Sequence, residues 1–194
     1  QVLDEPGGVV KLYESMRRHT TMKVGGPAQF WIEPTTVKGL GRIVKHCADS
    51  ATPIRIVGRG SNILVRDGGI PGITINPVKG EFGEILTEGN TIRAGAGVKL
   101  KALASAAQSA GVGGFEWMEG VPGNVGGSLR MNAGANGVET CERVVEVRAL
   151  GKVLALWRGA DGRRLIAKRS RRRTPLCQPT FAAGRDALHP ADIL

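Results

Sequence analysis

Glycine is placed in clusters along this chain, and each cluster closes an apolar run. The groups are Gly25-Gly26, Gly58-Arg59-Gly60, Gly68-Gly69, Gly95-Ala96-Gly97, Gly113-Gly114 and Gly123 to Gly127, within a total of 29 glycines in 194 residues. They follow no fixed period, so neither a collagen-like repeat nor a low-complexity linker accounts for them. Glycine at the end of an element allows either a tight turn or the close approach of backbone to a ligand. A chain punctuated in this way alternates short elements with loops that present main chain.

Between the clusters, periodicity sets the elements. Ala28 to Glu33 alternates weakly and reads as a strand. Val37, Leu40, Ile43, Val44 and Cys47 share one helical face over Thr36 to Ser50, with Thr35 or Thr36 available as cap. Pro53 to Val57 is a short apolar run ended by glycine, a second strand. Strand, helix, strand makes a βαβ unit with parallel strands. Ile73 to Val78 reads as another strand. Glu84 to Thr87 and Thr91 to Ala94 flank the turn signal Glu88-Gly89-Asn90. Val98 to Ala110 carries Leu100, Leu103, Ala104 and Ala107 on one face, a helix closed by Gly111. Phe115 to Gly137 is expected to be irregular, and Val144 to Leu150 alternates as a strand. The organisation is α+β, with two lobes inside one domain.

Hydrophobic residues are 41% of the chain and charged residues 23%, a soluble globular balance. The formal charge of +10 is unevenly spread. Residues 1 to 142 hold 15 basic and 13 acidic side chains, whereas residues 143 to 194 hold 12 and 4. The run from Arg163 to Arg173 reads first as a solvated basic tail. It lacks the interleaved aromatics of single-strand binders, so no nucleic-acid partner is expected. Cys47, Cys141 and Cys177 are odd in number and form no CxxC pair, which favours a reducing compartment, the cytoplasm. His19, His46 and His189 have no ligand-like spacing, so no metal site is expected. No apolar stretch approaches a membrane span. Gln1 to Gly8 has neither a basic start nor an apolar core, so no signal peptide is expected there. With Gln1 in place of Met, the sequence reads as a trimmed chain or a fragment.

Three segments carry candidate chemistry. Gly58-Arg59-Gly60-Ser61-Asn62 lies where a parallel strand ends, the place where α/β units bind ligands. Its glycines let successive N–H groups turn toward one anion, while Ser61 and Asn62 add side-chain donors, a nest suited to a diphosphate. A plain tight turn would use the same residues, and neither a Walker loop nor the GxGxxG fingerprint is present. Gly120 to Ser128, followed by Asn132-Ala133-Gly134-Ala135, is small-residue chain without bulk for a core. A flat cofactor laid along main chain would want that absence of bulk. A long structural loop is the alternative, although such loops are often functional. His19 to Ala28 reads as a capped turn leading into a strand, with His19 a structural hydrogen-bonder.

In this order the segments HTTMKVGGPA, GRGSNILV, IRAGAG and GFEWMEGVPGNVGGSLRMNAGANG resemble the UDP-N-acetylenolpyruvoylglucosamine reductase family, from about Arg18 to about Arg148. The resemblance implies a two-lobed FAD-binding domain of the vanillyl-alcohol-oxidase type, a βαβ lobe followed by a mostly antiparallel one. Residues 18–150 would form this domain, 1–17 an extension, and 151–194 a basic tail or remnant. The implied activity is NADPH-dependent, FAD-mediated reduction of the enolpyruvyl group on a UDP-linked amino sugar, in peptidoglycan precursor synthesis. Gly58, Arg59, Gly60, Ser61 and Asn62 would hold the FAD diphosphate. Pro122, Gly123, Asn124, Val125, Gly126 and Gly127, with Asn132, Ala133 and Gly134, would line the rest of the cofactor.

The family's catalytic Arg follows a Tyr, and Arg172 is the nearest match here, without that Tyr. The family's catalytic Ser precedes Phe, and no Ser in this chain does. Its catalytic Glu lies near the C-terminus, whereas no Glu follows Glu146. An FAD-binding module without catalysis is therefore the alternative to the reductase.

Overall fold

The computed structural model describes residues 8–150 and the strand Leu176–Ala182. The chain divides into two compact units, Gln1–Phe82 and Gly83–Leu194. Both are built from strands and helices, which makes the fold α+β as the periodicity predicts.

The first unit is a four-stranded sheet with one long helix. Its strands are β1 (Val9–Ser15), β2 (Pro27–Glu33), β3 (Ile54–Ile56) and β4 (Ile70–Ile75), and α1 (Val37–Asp49) joins β2 to β3. The sheet order is β1-β2-β4-β3, with β1 antiparallel to β2, and β2 and β3 both parallel to β4. The predicted βαβ unit is present, but its two strands are not neighbours, because β4 inserts between them. β4 also starts three residues earlier than the apolar run from Ile73 implies. Pro71 and Gly72 hid this start, and the register of β4 against β2 is shifted there, between Ala28 and Phe30. β1 has no counterpart in the sequence reading. Lys11, Leu12 and Tyr13 along it are exposed, so it shows no alternation to read.

α1 starts where its cap predicts: the Thr36 hydroxyl accepts from the Gly39 N–H at 3.0 Å. Leu40, Ile43 and Cys47 are buried, and burial of the Leu40 and Ile43 side chains stabilises the fold by roughly 1.5–3 kcal/mol each. Met16, Ala28, Trp31 and Val57 form a small core, with the partly buried Ile63, Val65 and Ile70 packed against it.

The second unit contains the hairpin β5 (Ile85–Glu88) and β6 (Thr91–Ala94), then α2 (Leu100–Ser109), α3 (Val125–Met131), the two-residue strands β7 (Gly134–Ala135) and β8 (Val138–Glu139), β9 (Val144–Ala149) and β10 (Leu176–Ala182). Its main sheet runs β5-β6-β10-β9, with every neighbouring pair antiparallel. All four residues predicted for the inner face of α2 are buried. Its end forms paired bonds, Gly111 N–H to Gln108 carbonyl and Val112 N–H to Ala107 carbonyl, at 3.1 and 2.9 Å.

Phe115 to Gly137 is not irregular, contrary to the sequence reading. It holds a 3-10 turn at Glu116–Gly120, the helix α3 and the β7–β8 pair. Each element is too short to show a period, and the apolar anchors of α3 are only Val125 and Leu129. Trp117, Met118, Val125 and Leu129 from this stretch join the main core with Ile92, Leu100, Leu103, Phe115 and Val144.

Candidate functional site

Within the first unit, two of the sequence segments meet. β3 ends at Ile56, and the main chain then turns through Gly58 to Asn62. Three attachments fix this turn. The Val57 N–H donates to the Ile75 carbonyl at 2.9 Å. The Asn76 side-chain amide donates to the carbonyls of Val57 and Gly58, at 2.7 and 3.1 Å. The Thr21 N–H donates to the Gly60 carbonyl at 3.1 Å. A Cβ on Gly60 would lie 2.0 Å from the His19 carbonyl oxygen, and Gly60 has a φ of +67°. Only glycine satisfies both conditions. Arg59 and Asn62 are exposed, while Ser61 is half-buried. Among the described residues, the structure records no acceptor for the main-chain N–H of Arg59, Gly60 or Asn62.

The segment packed on Gly60 is itself locked. The Thr20 hydroxyl donates to the Val24 carbonyl at 2.9 Å, and the Lys23 N–H donates to the Thr20 carbonyl at 3.1 Å. His19 places its ring on Trp31, with centroids 3.9 Å apart, and its Nε2 lies 2.9 Å from Glu14 Oε1. His19 is thus the structural hydrogen-bonder that the sequence implies. The hydrogen bond from His19, ahead of the contacts from Lys11, holds the Glu14 carboxyl below its ordinary range against the cost of burial. Asn76 is the residue that the sequence reading missed. It follows an apolar strand with no glycine beside it, so no local signal marks it.

Within the second unit, the Gly95-Ala96-Gly97 turn and the Gly120–Ser128 segment close on each other. The Val125 N–H donates to the Val98 carbonyl at 2.9 Å, and the Gly126 N–H to the Ala96 carbonyl at 2.8 Å. The Leu100 N–H donates to the Gly123 carbonyl at 3.1 Å, and the Asn124 side-chain amide donates to the Gly97 carbonyl. A Cβ on Gly126 would lie 2.9 Å from the Ala96 Cβ, so the absence of a side chain there serves packing. Asn124 and Val125 are buried. Pro122 and Gly127 are exposed, and a Cβ on Gly127 would meet open space.

Asn132 caps α3 in the left-handed conformation, with φ +46°. Its amide is occupied at both ends: Nδ2 donates to Glu139 Oε2 at 2.6 Å, and Oδ1 accepts from the Cys141 N–H at 3.0 Å. The Ala133 N–H donates to the Ser128 carbonyl at 2.9 Å, and Gly134 pairs with Glu139 in the β7–β8 ladder. Ser128 donates to Thr140, whose hydroxyl in turn donates to the Ala133 carbonyl. Arg172 lies outside the described residues.

Residues 28–153 match the family described as FAD binding domain. The chain belongs to that family. Among curated relatives of this FAD binding domain, the UDP-N-acetylenolpyruvoylglucosamine reductase of Nitrobacter hamburgensis is 45% identical over 133 residues, 69% of this chain and 43% of that protein. The reductase of the same name from Bradyrhizobium sp. is 43% identical over 139 residues, 72% of this chain and 45% of that protein. The chain thus spans less than half the length of these relatives. The crystal structure of UDP-N-acetylenolpyruvylglucosamine reductase from Thermus caldophilus superposes with a TM-score of 0.71 at 27% identity, covering 92% of this chain and 63% of that one. Cholesterol oxidase from Brevibacterium sterolicum shares the fold, with a TM-score of 0.65 at 19% identity over 93% of this chain and 38% of that one. The FAD binding domain therefore sits here on the two-lobed scaffold expected from the resemblance. The family match begins at residue 28, so β1 and the His19–Lys23 turn lie ahead of it. Among the described residues, no helix is long and apolar enough to cross a membrane.

Proposed function

We propose that the chain is the FAD-holding portion of a UDP-N-acetylenolpyruvoylglucosamine reductase. In this reading the loop Gly58, Arg59, Gly60, Ser61 and Asn62 holds the FAD diphosphate. The observation that carries it is a glycine turn at the end of β3, pinned by Asn76 and by the His19–Thr21 main chain, in which no acceptor is recorded among the described residues for the N–H groups of Arg59, Gly60 and Asn62. Donors fixed before binding hold an anion without the entropic cost of ordering a loop. The Arg59 guanidinium, exposed on the same turn, adds positive charge beside them.

In the second unit Pro122, Gly123 and Gly127 present main chain without bulk, and they are the part of Pro122–Gly127 that a flat ring would meet. Asn124, Val125 and Gly126 shape that surface from below, through bonds to Gly97, Val98 and Ala96. Asn132, Ala133 and Gly134 support it as the turn that ends α3. The chemistry that a bound flavin supplies is hydride transfer, from NADPH to the enolpyruvyl double bond of the UDP-linked amino sugar. The residues of this chain bind and orient. Arg172 is proposed to stabilise the substrate carboxylate. The setting of the reaction is peptidoglycan precursor synthesis in the cytoplasm.

A second reading, FAD binding without turnover, applies to this stretch of chain, which spans 43% and 45% of the length of the two reductases it matches. An absorbance spectrum of the purified chain after addition of FAD and gel filtration tests the shared core of both readings. A flavin spectrum at one FAD per chain is expected, and colourless protein would overturn them. NADPH oxidation that depends on the enolpyruvyl substrate is the result expected of the reductase. Retained FAD without that oxidation leaves the binding module.

A further inference from the structure

We propose that Glu14 is a positioning residue for the Gly58–Asn62 turn, acting through His19; the proposal rests on the reading of that turn as the FAD diphosphate site.

Glu14 lies on β1, opposite Ala28 of β2, and is 8% exposed. Its Oε1 receives Lys11 at 3.3 Å and His19 Nε2 at 2.9 Å, with an Arg18 guanidinium nitrogen at 3.8 Å. His19 therefore has its ring held at the edge by Glu14 and on the face by Trp31. The carbonyl of the same residue lies against the α-carbon of Gly60, where not even a methyl group fits. The next N–H but one, that of Thr21, bonds the Gly60 carbonyl. A ring fixed at two places fixes its main chain, and that main chain is one wall of the turn. No side chain intervenes between His19 and Gly60, so a change at Glu14 reaches the turn through one residue.

Protonation of Glu14 removes a charged acceptor from His19, Lys11 and Arg18 together. The other groups nearby are Trp31, whose Nε1 donates to Glu33 Oε1 at 3.0 Å, and Lys79, which pairs with Glu33 Oε2 at 2.7 Å. Those contacts hold Glu33 rather than the turn. The fit of the loop to its anion is therefore expected to follow the ionisation of Glu14.

The test is FAD affinity of the whole chain across the acid to neutral range, read by quenching of flavin fluorescence, for wild type, Glu14→Gln, His19→Phe and the double variant. His19→Phe keeps a ring on Trp31 and removes the Nε2 contact. Each single variant is expected to weaken FAD about tenfold at neutral pH. Wild-type affinity is expected to fall on acidification, with Glu14→Gln flattening that profile. The double variant is expected to lose no more than the single ones, because the two residues act as one unit. Wild-type affinity in Glu14→Gln, an unchanged pH profile, or additive losses in the double variant would each overturn the role of Glu14. If Glu14→Gln does not fold, His19→Phe decides: unchanged affinity overturns the proposal. Wild type that takes up no FAD at any pH removes the diphosphate reading itself, and this inference with it.

Discussion

The side-chain amide of Asn76 reaches back from the end of β4 to the carbonyls of Val57 and Gly58, 2.7 and 3.1 Å away, and so ties the exit of one parallel strand to that of its neighbour. Asn76 is 6% exposed. Asn76→Ala takes the side-chain donor from the buried Val57 carbonyl and the partly buried Gly58 carbonyl, a loss of about 1–3 kcal/mol. A urea melt should show that loss, and FAD affinity should fall by at least tenfold. Retained affinity in a destabilised variant would detach Asn76 from the cofactor.

Gly60 and Gly41 make a paired test of what glycine does here. Gly60→Ala places a methyl 2.0 Å from the His19 carbonyl at a φ of +67°, so the turn has to move. A loss above about 1 kcal/mol and failure to bind FAD are expected. Gly41 lies within α1, and a Cβ there meets nothing within 4 Å. Gly41→Ala should raise stability by about 0.5–1 kcal/mol, because alanine is the better helix former. Thermal melts of both variants check the signs.

Gly126 and Gly127 are neighbours with opposite expectations. Gly126→Ala pushes a methyl to 2.9 Å from the Ala96 Cβ and should cost about 1–3 kcal/mol by overpacking. Gly127→Ala meets open space on an exposed helical position, so the fold should hold or gain slightly. If the flavin lies along this surface, Gly127→Ala should nonetheless weaken FAD binding. Unchanged affinity with a stable fold would place the cofactor elsewhere.

Acid should unfold the chain through its buried carboxyls. Glu14 is held low first by the His19 hydrogen bond. For Glu33, burial is the largest single influence and pushes upward, but the Lys79 and Trp31 contacts together carry it below its ordinary value. A carboxyl with a depressed folded pKa stabilises the fold fully above its unfolded value, near 4.5. That stability is lost as pH falls through the lower folded value. Stability measured by urea melts should therefore drop below about pH 4.5, and the slope should be shallower in Glu33→Gln.

How legible these features were depended on the length of the signal. α1 and α2 each carry several apolar residues at helical spacing, and Thr36 marks the start of the first, so both were readable. The position of the Gly58–Asn62 loop after a parallel strand was readable because glycine ends the apolar run of β3. α3 was not, because its seven residues include two adjacent glycines and only two core anchors. β1 was hidden by its exposed side chains, and Asn76 acts across the sheet, where no local pattern reaches. The small residues of Gly120–Ser128 are open to two readings, main chain laid bare for a flat ligand and a long structural loop. Within them Gly126 makes room for Ala96, while a Cβ on Gly127 would meet open space.

β10 separates β6 from β9, which never touch as ladder partners. The second sheet is therefore left incomplete in any product that stops at Ala149: two bare hydrogen-bonding edges would face each other across a missing strand. Such edges recruit other chains. The strand Leu176–Ala182 covers both edges, and shortened versions of the protein are expected to stay monomeric only if they keep it.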